Sequence, residues 1–141
     1  AKLQQSLPKT GRCMELVPNE PKYWEFIRTL RNMDGVRQGF VQQTHITPEI
    51  HEKHIKKYGH LYYICIEDDA PMGYVGAIEE DIRVATHPRY QKRGVGKFMI
   101  NELMKLQPTA VAKIKMENHA SVALFEACGF VKRYYILEKR N

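Results

Sequence analysis

The stretch Gln91-Lys92-Arg93-Gly94-Val95-Gly96 places two glycines and three long polar side chains at the entrance of an amphipathic segment. Apolar residues then recur at helical spacing, which predicts a helix that begins inside the stretch and ends before Pro108. A strand, a glycine turn and a helix N-terminus together present unpaired backbone N–H groups, backed by the helix dipole, to an anion. The stretch therefore predicts a site for a phosphate-like group.

This glycine stretch matches neither of two common nucleotide-binding fingerprints. No Gly-Lys-Ser/Thr follows at the spacing of a P-loop, and Gly94-x-Gly96 lacks the third glycine of a dinucleotide-binding loop. On spacing alone, a plain strand-to-helix turn explains the two glycines equally well. Other features of the sequence are needed to distinguish an anion site from a plain turn.

Two helices are predicted upstream from apolar residues at i, i+3, i+4 and i+7. A proline shortly after a polar residue marks each start, at Pro21 after Asn19 and at Pro48 after Thr47. The expected buried faces are Tyr23, Phe26, Ile27 and Leu30 in the first helix and Ile50, His54, Ile55 and Tyr58 in the second.

Strands and helices alternate along the chain. A short helix with Phe125 on its apolar face is expected to end at Gly129. The element order predicts an α/β (α+β) fold with a central mixed sheet and helices on both faces, formed by residues 13–141 as a single domain. The polar residues 1–12 are expected to be a flexible leader or an expression remnant. Runs of aliphatic and aromatic residues predict strands at 13–17, 61–67, 72–78, 82–86, 111–116 and 131–138.

The composition narrows the class of partner. Lysine and arginine number 22 against 16 acids, a formal charge of +6 that favours an anionic partner. The basic residues are scattered, with no run of five, so a phosphate-bearing small molecule is favoured over nucleic acid. No apolar run approaches the roughly 20 residues of a membrane span. Three widely spaced cysteines favour buried reduced thiols, and we expect a cytoplasmic protein.

Two segments resemble the GNAT acyltransferases. His87-Pro88-Arg89-Tyr90 followed by Gln91-x-x-Gly94-x-Gly96 is similar to that family's acetyl-CoA pyrophosphate loop. The segment 118–130, Asn-His-Ala-Ser-Val-Ala-Leu-Phe-Glu-Ala-Cys-Gly-Phe, is similar to a second family motif. The resemblance covers about residues 13–139. It implies the GNAT acyl-CoA N-acyltransferase fold, acetyl-CoA as cosubstrate without a metal, and direct transfer of the acetyl group to a primary amine.

The resemblance also implies which residues hold acetyl-CoA. Backbone amides of the loop would bind the pyrophosphate, and a wedge between the strand ending at Thr86 and the one ending near Met116 would hold the pantetheine arm. Asn118 would hydrogen-bond that arm, although a helix N-cap explains this residue without a ligand. The implied set is Val84, Ala85, Thr86, Gln91, Lys92, Arg93, Gly94, Val95, Gly96, Lys97, Asn118, Ser121 and Phe125.

Attack of an amine on a thioester requires a proton acceptor. Glu80 is the candidate base, because it stands eleven residues before Gln91, where some members of the family have a catalytic glutamate. Phe125 occupies the position of a proton-donating tyrosine in many members, which is a departure from the family pattern. Tyr134 or Tyr135 could replace that donor, although packing in a strand explains both equally well.

The acceptor amine is the least defined part. Residues 30–37 and 46–51 resemble amino-sugar nucleotide N-acetyltransferases, and also ribosomal-protein N-terminal acetyltransferases. Arg31, Arg37 and His51 would then contact substrate phosphates, unless the arginines pair with acids and the histidine is structural. An amino sugar or nucleotide-linked amino sugar is the first expectation and a protein amine the second. A catalytically weak CoA-binding module and a homodimeric assembly stay open.

Overall fold

The computed structural model describes residues 13–33, 36 and 46–141, so the expected leader at 1–12 lies outside the described residues. The strands are β1 (Met14–Pro18), β2 (Tyr62–Glu67), β3 (Ala70–Ile78) and β4 (Asp81–Thr86). The helices are α1 (Trp24–Asn32), α2 (Pro48–Tyr58), α3 (Val95–Leu106) and α4 (His119–Ala127). Single 3-10 turns lie at Pro21–Tyr23, Gly59–Leu61 and Pro88–Tyr90.

The four strands form one antiparallel sheet in the order β1-β2-β3-β4. Two-residue turns join β2 to β3 at Asp68 and Asp69 and β3 to β4 at Glu79 and Glu80, with φ between 52° and 68°. Positive φ at both central residues is typical of the type I′ turn, whose twist matches that of a hairpin. Two pairs of acidic residues therefore close two successive hairpins.

Alternation along the strands gives the sheet two apolar faces. One face is covered by α1 and α2 and the other by α3 and α4, so the prediction of helices on both faces is confirmed. Each fully buried Ile or Leu contributes on the order of 2 kcal/mol, and these contacts hold the helices to the sheet. The two clusters include Ile27, Leu30, Ile55, Ile64, Tyr74 and Ile78 on the first face and Met72, Val75, Ile82, Met99, Leu103 and Phe125 on the second.

The buried face of α2 differs from the expected one. Ile50 is 52% exposed, whereas His51 and Ile55 are buried, so the predicted stripe is wrong at Ile50. The predicted helix start is confirmed, because the Thr47 hydroxyl oxygen accepts a hydrogen bond from the Ile50 N–H at 3.2 Å. His51 turns inward because its Nε2 donates to the carbonyl oxygen of Trp24 at 2.8 Å, which ties α2 to α1.

The strand predicted at 111–116 is reduced to a single parallel bridge between Asp81 and Val111. The Val111 N–H donates to the Glu80 carbonyl oxygen at 2.8 Å. Beyond Val111 the chain separates from β4, because a cavity lies between the two segments. The described sheet is therefore antiparallel except at this bridge, and the prediction of a mixed sheet holds only there.

The strand predicted at 131–138 is not formed, and residues 131–141 are all exposed. Tyr134 is 88% exposed, Tyr135 92% and Leu137 94%. Strand formation depends on packing against neighbouring residues, and these side chains have no such contact in the described structure. Packing in a strand therefore does not explain Tyr134 or Tyr135. Among the cysteines expected to be buried, Cys65 is buried and Cys13 is exposed.

Candidate functional site

The glycine loop opens α3 in the geometry expected of an anion site. Gly94 is the N-cap of α3 with φ 80° and ψ 10°, and Lys92 also has a positive φ of 64°. A glycine N-cap has no side chain to satisfy the first-turn N–H groups, and no acidic residue lies in that turn. The Phe98 N–H donates to the Gly94 carbonyl oxygen at 3.0 Å, so the amides before it face outward without a helical acceptor.

The positive side chains at this loop have different partners. The Arg93 Nη2 lies 3.0 Å from Glu67 Oε1, and its guanidinium lies 5.6 Å from the centre of the Tyr90 ring. Lys92 and Lys97 are exposed. Arg93 therefore fixes the loop to the end of β2, while the two lysines supply the positive charge that a ligand could meet directly.

Gly96 allows two helices to pack closely. A Cβ at this position would lie 3.0 Å from Leu124 Cδ2 in α4, so α3 and α4 approach each other closely here. A Cβ at Gly94 would meet no atom within 4 Å, and only its positive φ opposes a side chain. Substitutions at Gly94 therefore test the loop without disturbing the contact between the helices.

An open cavity of about 630 Å³ lies between β4 and residues 112–114. It brings together residues from both predicted sets, with Val84, Ser121 and Phe125 from the cofactor set and Arg31 from the acceptor set. β4 runs from this cavity through Ala85, which is buried, and Thr86 into the glycine loop. A Cβ at Gly96 would lie 3.6 Å from Thr86 Oγ1, so the glycine loop adjoins the end of β4, and the loop and the cavity lie along the same strand.

Two predicted residues lie elsewhere or have other contacts, and a third lies outside the described residues. His51 is absent from the cavity wall and is buried between α1 and α2, which agrees with its structural alternative. The Asn118 Oδ1 accepts a hydrogen bond from the Ser121 N–H at 3.1 Å, so the helix N-cap alternative is confirmed. Arg37 lies outside the described residues.

Glu80, the predicted base, lies in the turn between β3 and β4. It is exposed, and its Oε2 accepts a hydrogen bond from the Thr109 hydroxyl at 2.6 Å. Glu80 is not part of the cavity wall. This geometry favours a role in joining the turn to the segment after α3, and its role as base stays a prediction.

We expect Glu80→Gln to leave kcat within about threefold, because a positioned base contributes about 10²–10⁴ and Glu80 lies outside the cavity wall. The melting temperature should fall slightly, and Thr109→Val should cause a similar fall because it removes the same hydrogen bond. Steady-state kinetics and thermal melting of both variants measure this. A loss of 10²-fold or more in kcat for Glu80→Gln alone would establish it as the base.

A cross-strand row missed from sequence forms one wall of the cavity. Tyr62 pairs with Gly76, and Gly76 pairs with Arg83. A Cβ at Gly76 would lie 2.5 Å from the Leu61 carbonyl oxygen and 3.0 Å from the Tyr62 ring, so only glycine fits between the two strands here. The Tyr62 hydroxyl lies 2.8 Å from His54 Nε2. The sequence alone does not reveal this row, because Tyr62, Gly76 and Arg83 become neighbours only through the pairing register of the three strands.

Burial sets the protonation of Tyr62 and of two histidines in α2. It lowers the pKa of His54 to about 4, and the positive charges of Arg31 and Arg83 add to this shift. Burial also lowers the pKa of His51 and raises that of Tyr62. At neutral pH both histidines are therefore uncharged, and the Tyr62 hydroxyl keeps its proton.

These depressed histidine pKa values predict a loss of stability in acid. Below about pH 6.5 the unfolded chain binds more protons than the folded one, so stability falls as the pH drops towards 4. His54→Gln should remove about 1–2 kcal/mol of this dependence after discounting for partial exposure. Urea unfolding at pH 7 and pH 4.5 measures it, with the exposed His60→Gln as control. Equal pH dependence in all three proteins would contradict the burial effect at His54.

The described residues were compared with the requirements of a metal site and of a membrane-spanning helix. Within 13–33, 36 and 46–141, no three His, Cys, Asp or Glu side chains are grouped so as to hold a metal ion. None of the described helices has the length and apolar character needed to cross a bilayer.

The fold is shared with solved acetyltransferases. A spermidine N-acetyltransferase from Vibrio cholerae, solved with CoA and spermine, is 21% identical with a TM-score of 0.73, covering 89% of this chain and 85% of its own. The aminoglycoside N-acetyltransferase AAC(6')-Iy, solved with CoA, is 16% identical with a TM-score of 0.71, covering 96% and 99%. The acetyltransferase yncA from Salmonella typhimurium, solved with acetyl-CoA, is 16% identical with a TM-score of 0.69, covering 84% and 79%.

Sequence comparison assigns the family. No curated protein sequence matches the chain significantly. The sequence profile of the acetyltransferase (GNAT) family matches residues 24–130, which include the glycine loop, the cavity strand β4 and the motif of α4. This chain therefore belongs to the GNAT family of acetyltransferases.

Proposed function

We propose that this chain transfers the acetyl group of acetyl-CoA to a primary amine bound in the cavity between β4 and residues 112–114. The observation that supports this most directly is the continuity of the glycine loop, β4 and the cavity. The anion-binding loop lies at the end of β4, and Val84 of the same strand lines the cavity. Family membership supports the same chemistry.

The residues present fit acetyl-CoA. The outward-facing amides of the α3 N-terminus and the exposed Lys92 and Lys97 suit a pyrophosphate, which is compact and doubly charged. Ser121 and Phe125 would border the pantetheine end in the cavity. Acetyl-CoA supplies an acetyl group activated as a thioester. The chain's own contribution is to orient that group beside an amine and to keep both in place, which alone supplies several kcal/mol of rate enhancement.

The expected amino sugar remains a proposal about the acceptor. It rests on a resemblance of residues 30–37 and 46–51, and among the described residues of these segments Arg31 and Ile46 line the cavity. Solved relatives include a spermidine and an aminoglycoside acetyltransferase, so amines of several shapes fit this fold. Acceptor specificity depends on the local residues and not on the fold.

The test is release of thiol from acetyl-CoA across a panel of amino sugars, polyamines and peptides. We expect release with at least one primary amine and none without an amine. Tight CoA binding without release for any acceptor would favour the CoA-binding module. Absence of both CoA binding and release would contradict the proposed function.

A further inference from the structure

Arg31 presents an unsatisfied guanidinium at the cavity. It lies in the last turn of α1 and lines the cavity wall, and its Nη1 is buried without a hydrogen-bond partner. Within the described residues it also forms no ion pair, unlike Arg28 on the same helix, which pairs with Glu25. A buried charged donor without an acceptor costs about 1–3 kcal/mol or more. An anionic ligand in the cavity would supply the missing acceptor.

Arg83 adds a second guanidinium from the opposite element. It lies in β4 and lines the same cavity, in the row that Gly76 leaves open beside Tyr62. Its Nε lies 3.3 Å from Asp81 Oδ2, yet this contact does not have hydrogen-bond geometry and the Nε is buried without a partner. Arg83 is therefore held in place by Asp81 but retains donors for a ligand.

Cations outnumber carboxylates on the cavity wall. Asp81 is already engaged with Arg83, and buried His54 behind Tyr62 is uncharged at neutral pH. The positive charges of Arg31 and Arg83 both act to lower the pKa of the Tyr62 and Tyr74 hydroxyls. The two guanidinium groups therefore act on the same region of the wall. The charged side chains on the wall are Arg31, Arg83 and Lys113 against Asp81 and Glu138.

We propose that Arg31 and Arg83 bind an anionic group, a phosphate or a carboxylate, on the same molecule that carries the acceptor amine. This rests on the proposed function. A planar guanidinium matches either group through paired N–H donors, and such charge-assisted hydrogen bonds are strong where water is excluded. The acceptor is thus an anionic amine, such as an amino-sugar phosphate or an amino acid, rather than a polycation.

The same two charges assist the chemistry. An ammonium group near a guanidinium loses its proton more easily, because like charges disfavour the charged form. The acceptor must attack as a neutral amine, so its anion would be held by the arginines while its amine is kept unprotonated. A polycation such as spermidine gains no such contact and meets like charge at this wall.

The experiment compares matched acceptors with residues 1–141 at saturating acetyl-CoA. The phosphate arm pairs glucosamine 6-phosphate with glucosamine, and the carboxylate arm pairs lysine with cadaverine. We expect kcat/KM to be about 10–100-fold higher for the anionic member of at least one pair, the range of one or two charge-assisted hydrogen bonds. The arm that shows the difference identifies the anion.

Substitutions of two arginines in α1, Arg31 and Arg28, test which residue binds the anion. Arg31→Gln should raise KM for the anionic acceptor about tenfold or more, leave KM for acetyl-CoA within twofold, and cause no loss for the partner that lacks the anion. Arg31→Lys should restore part of the affinity because it keeps the charge without the paired donors. Arg28→Gln, three residues earlier, should change none of these values. Equal kcat/KM within both pairs, or an equal loss in Arg31→Gln for acceptors with and without the anion, would overturn the inference.

Failure of this inference differs from failure of the proposed function. Turnover of amines without regard to their anion would remove the arginine site and leave the acetyltransferase. If no amine is turned over, calorimetry of glucosamine 6-phosphate and of lysine on the CoA-saturated protein still decides. Binding of either one that Arg31→Gln abolishes and Arg28→Gln retains supports the site, and absence of binding by both rejects it.

Discussion

Gly94→Asp is expected to weaken acetyl-CoA binding about 30–100-fold, while Gly94→Asn weakens it only a few-fold. Both side chains tolerate the left-handed φ of 80° at this N-cap, and a Cβ there meets no neighbouring atom. Both can also accept hydrogen bonds from the first-turn amides. Only the aspartate adds a negative charge where the pyrophosphate is expected, so the difference between the two variants isolates electrostatic repulsion.

Titration calorimetry with acetyl-CoA measures this difference, and thermal melting controls for folding. The melting temperature should be unchanged or slightly higher in both variants, because capping side chains stabilise a helix by about 0.5–2 kcal/mol. A salt titration adds a further check, since repulsion at an exposed loop is screened. Equal affinities for the two variants would mean that the α3 N-terminus does not hold the pyrophosphate. The proposed placement of acetyl-CoA, from the glycine loop along β4 into the cavity, would then be wrong.

The parts of the fold that could be predicted depend on local rules. The cap Thr47 and the glycine Gly94 each satisfy a backbone requirement that a few neighbouring residues specify. Their positions were therefore predicted correctly. The loop itself, with its helix and preceding strand, belongs to this class.

The parts that could not be predicted depend on contacts between distant residues. The apolar run 131–138 has the composition of a strand, but no neighbour packs against it in the described structure. The inward turn of His51 requires the Trp24 carbonyl oxygen, which only the packing of α1 on α2 supplies. Arg83 faces the cavity beside Tyr62 because both pair with Gly76, and this register is invisible along the chain.

Glu80 shows how a short sequence distance misleads. It stands eleven residues before Gln91, yet it precedes β4 and the loop follows β4. Six strand residues span on the order of 20 Å, so Glu80 and the loop lie at opposite ends of the strand. A spacing taken from a family motif thus fixes a position along the chain. Whether that residue lines the cavity in which the amine is proposed to bind depends on the folded structure.

Phe125→Tyr is expected to raise kcat about tenfold near pH 6.5 and to have little effect near pH 9, within the range of general-acid contributions. Phe125 lines the cavity and is 4% exposed, with its ring edge-to-face against Phe130 at 5.1 Å. The resemblance to the family places this ring where a tyrosine donates a proton to the departing thiolate. The departing sulfur, as a thiol with a pKa of about 8.5, ends protonated below that pH, so a positioned donor assists its departure there and much less near pH 9. The unaltered chain should therefore show a rate that rises towards alkaline pH, and the tyrosine should flatten that rise.

The matched control is Phe130→Tyr, which adds the same hydroxyl to the neighbouring ring outside the cavity wall. It should leave the pH profile unchanged, so any cost of packing an extra hydroxyl in this ring pair is measured separately by thermal melting. Profiles of kcat from about pH 6 to 9 for all three proteins distinguish the outcomes. Superimposable curves for the unaltered chain and Phe125→Tyr would mean that Phe125 only packs against α3 and the sheet, away from the sulfur. Thiol release from neither protein with any amine, together with retained CoA binding, would instead favour a cavity that holds CoA without turnover, because positioning alone should give a measurable rate even without a donor.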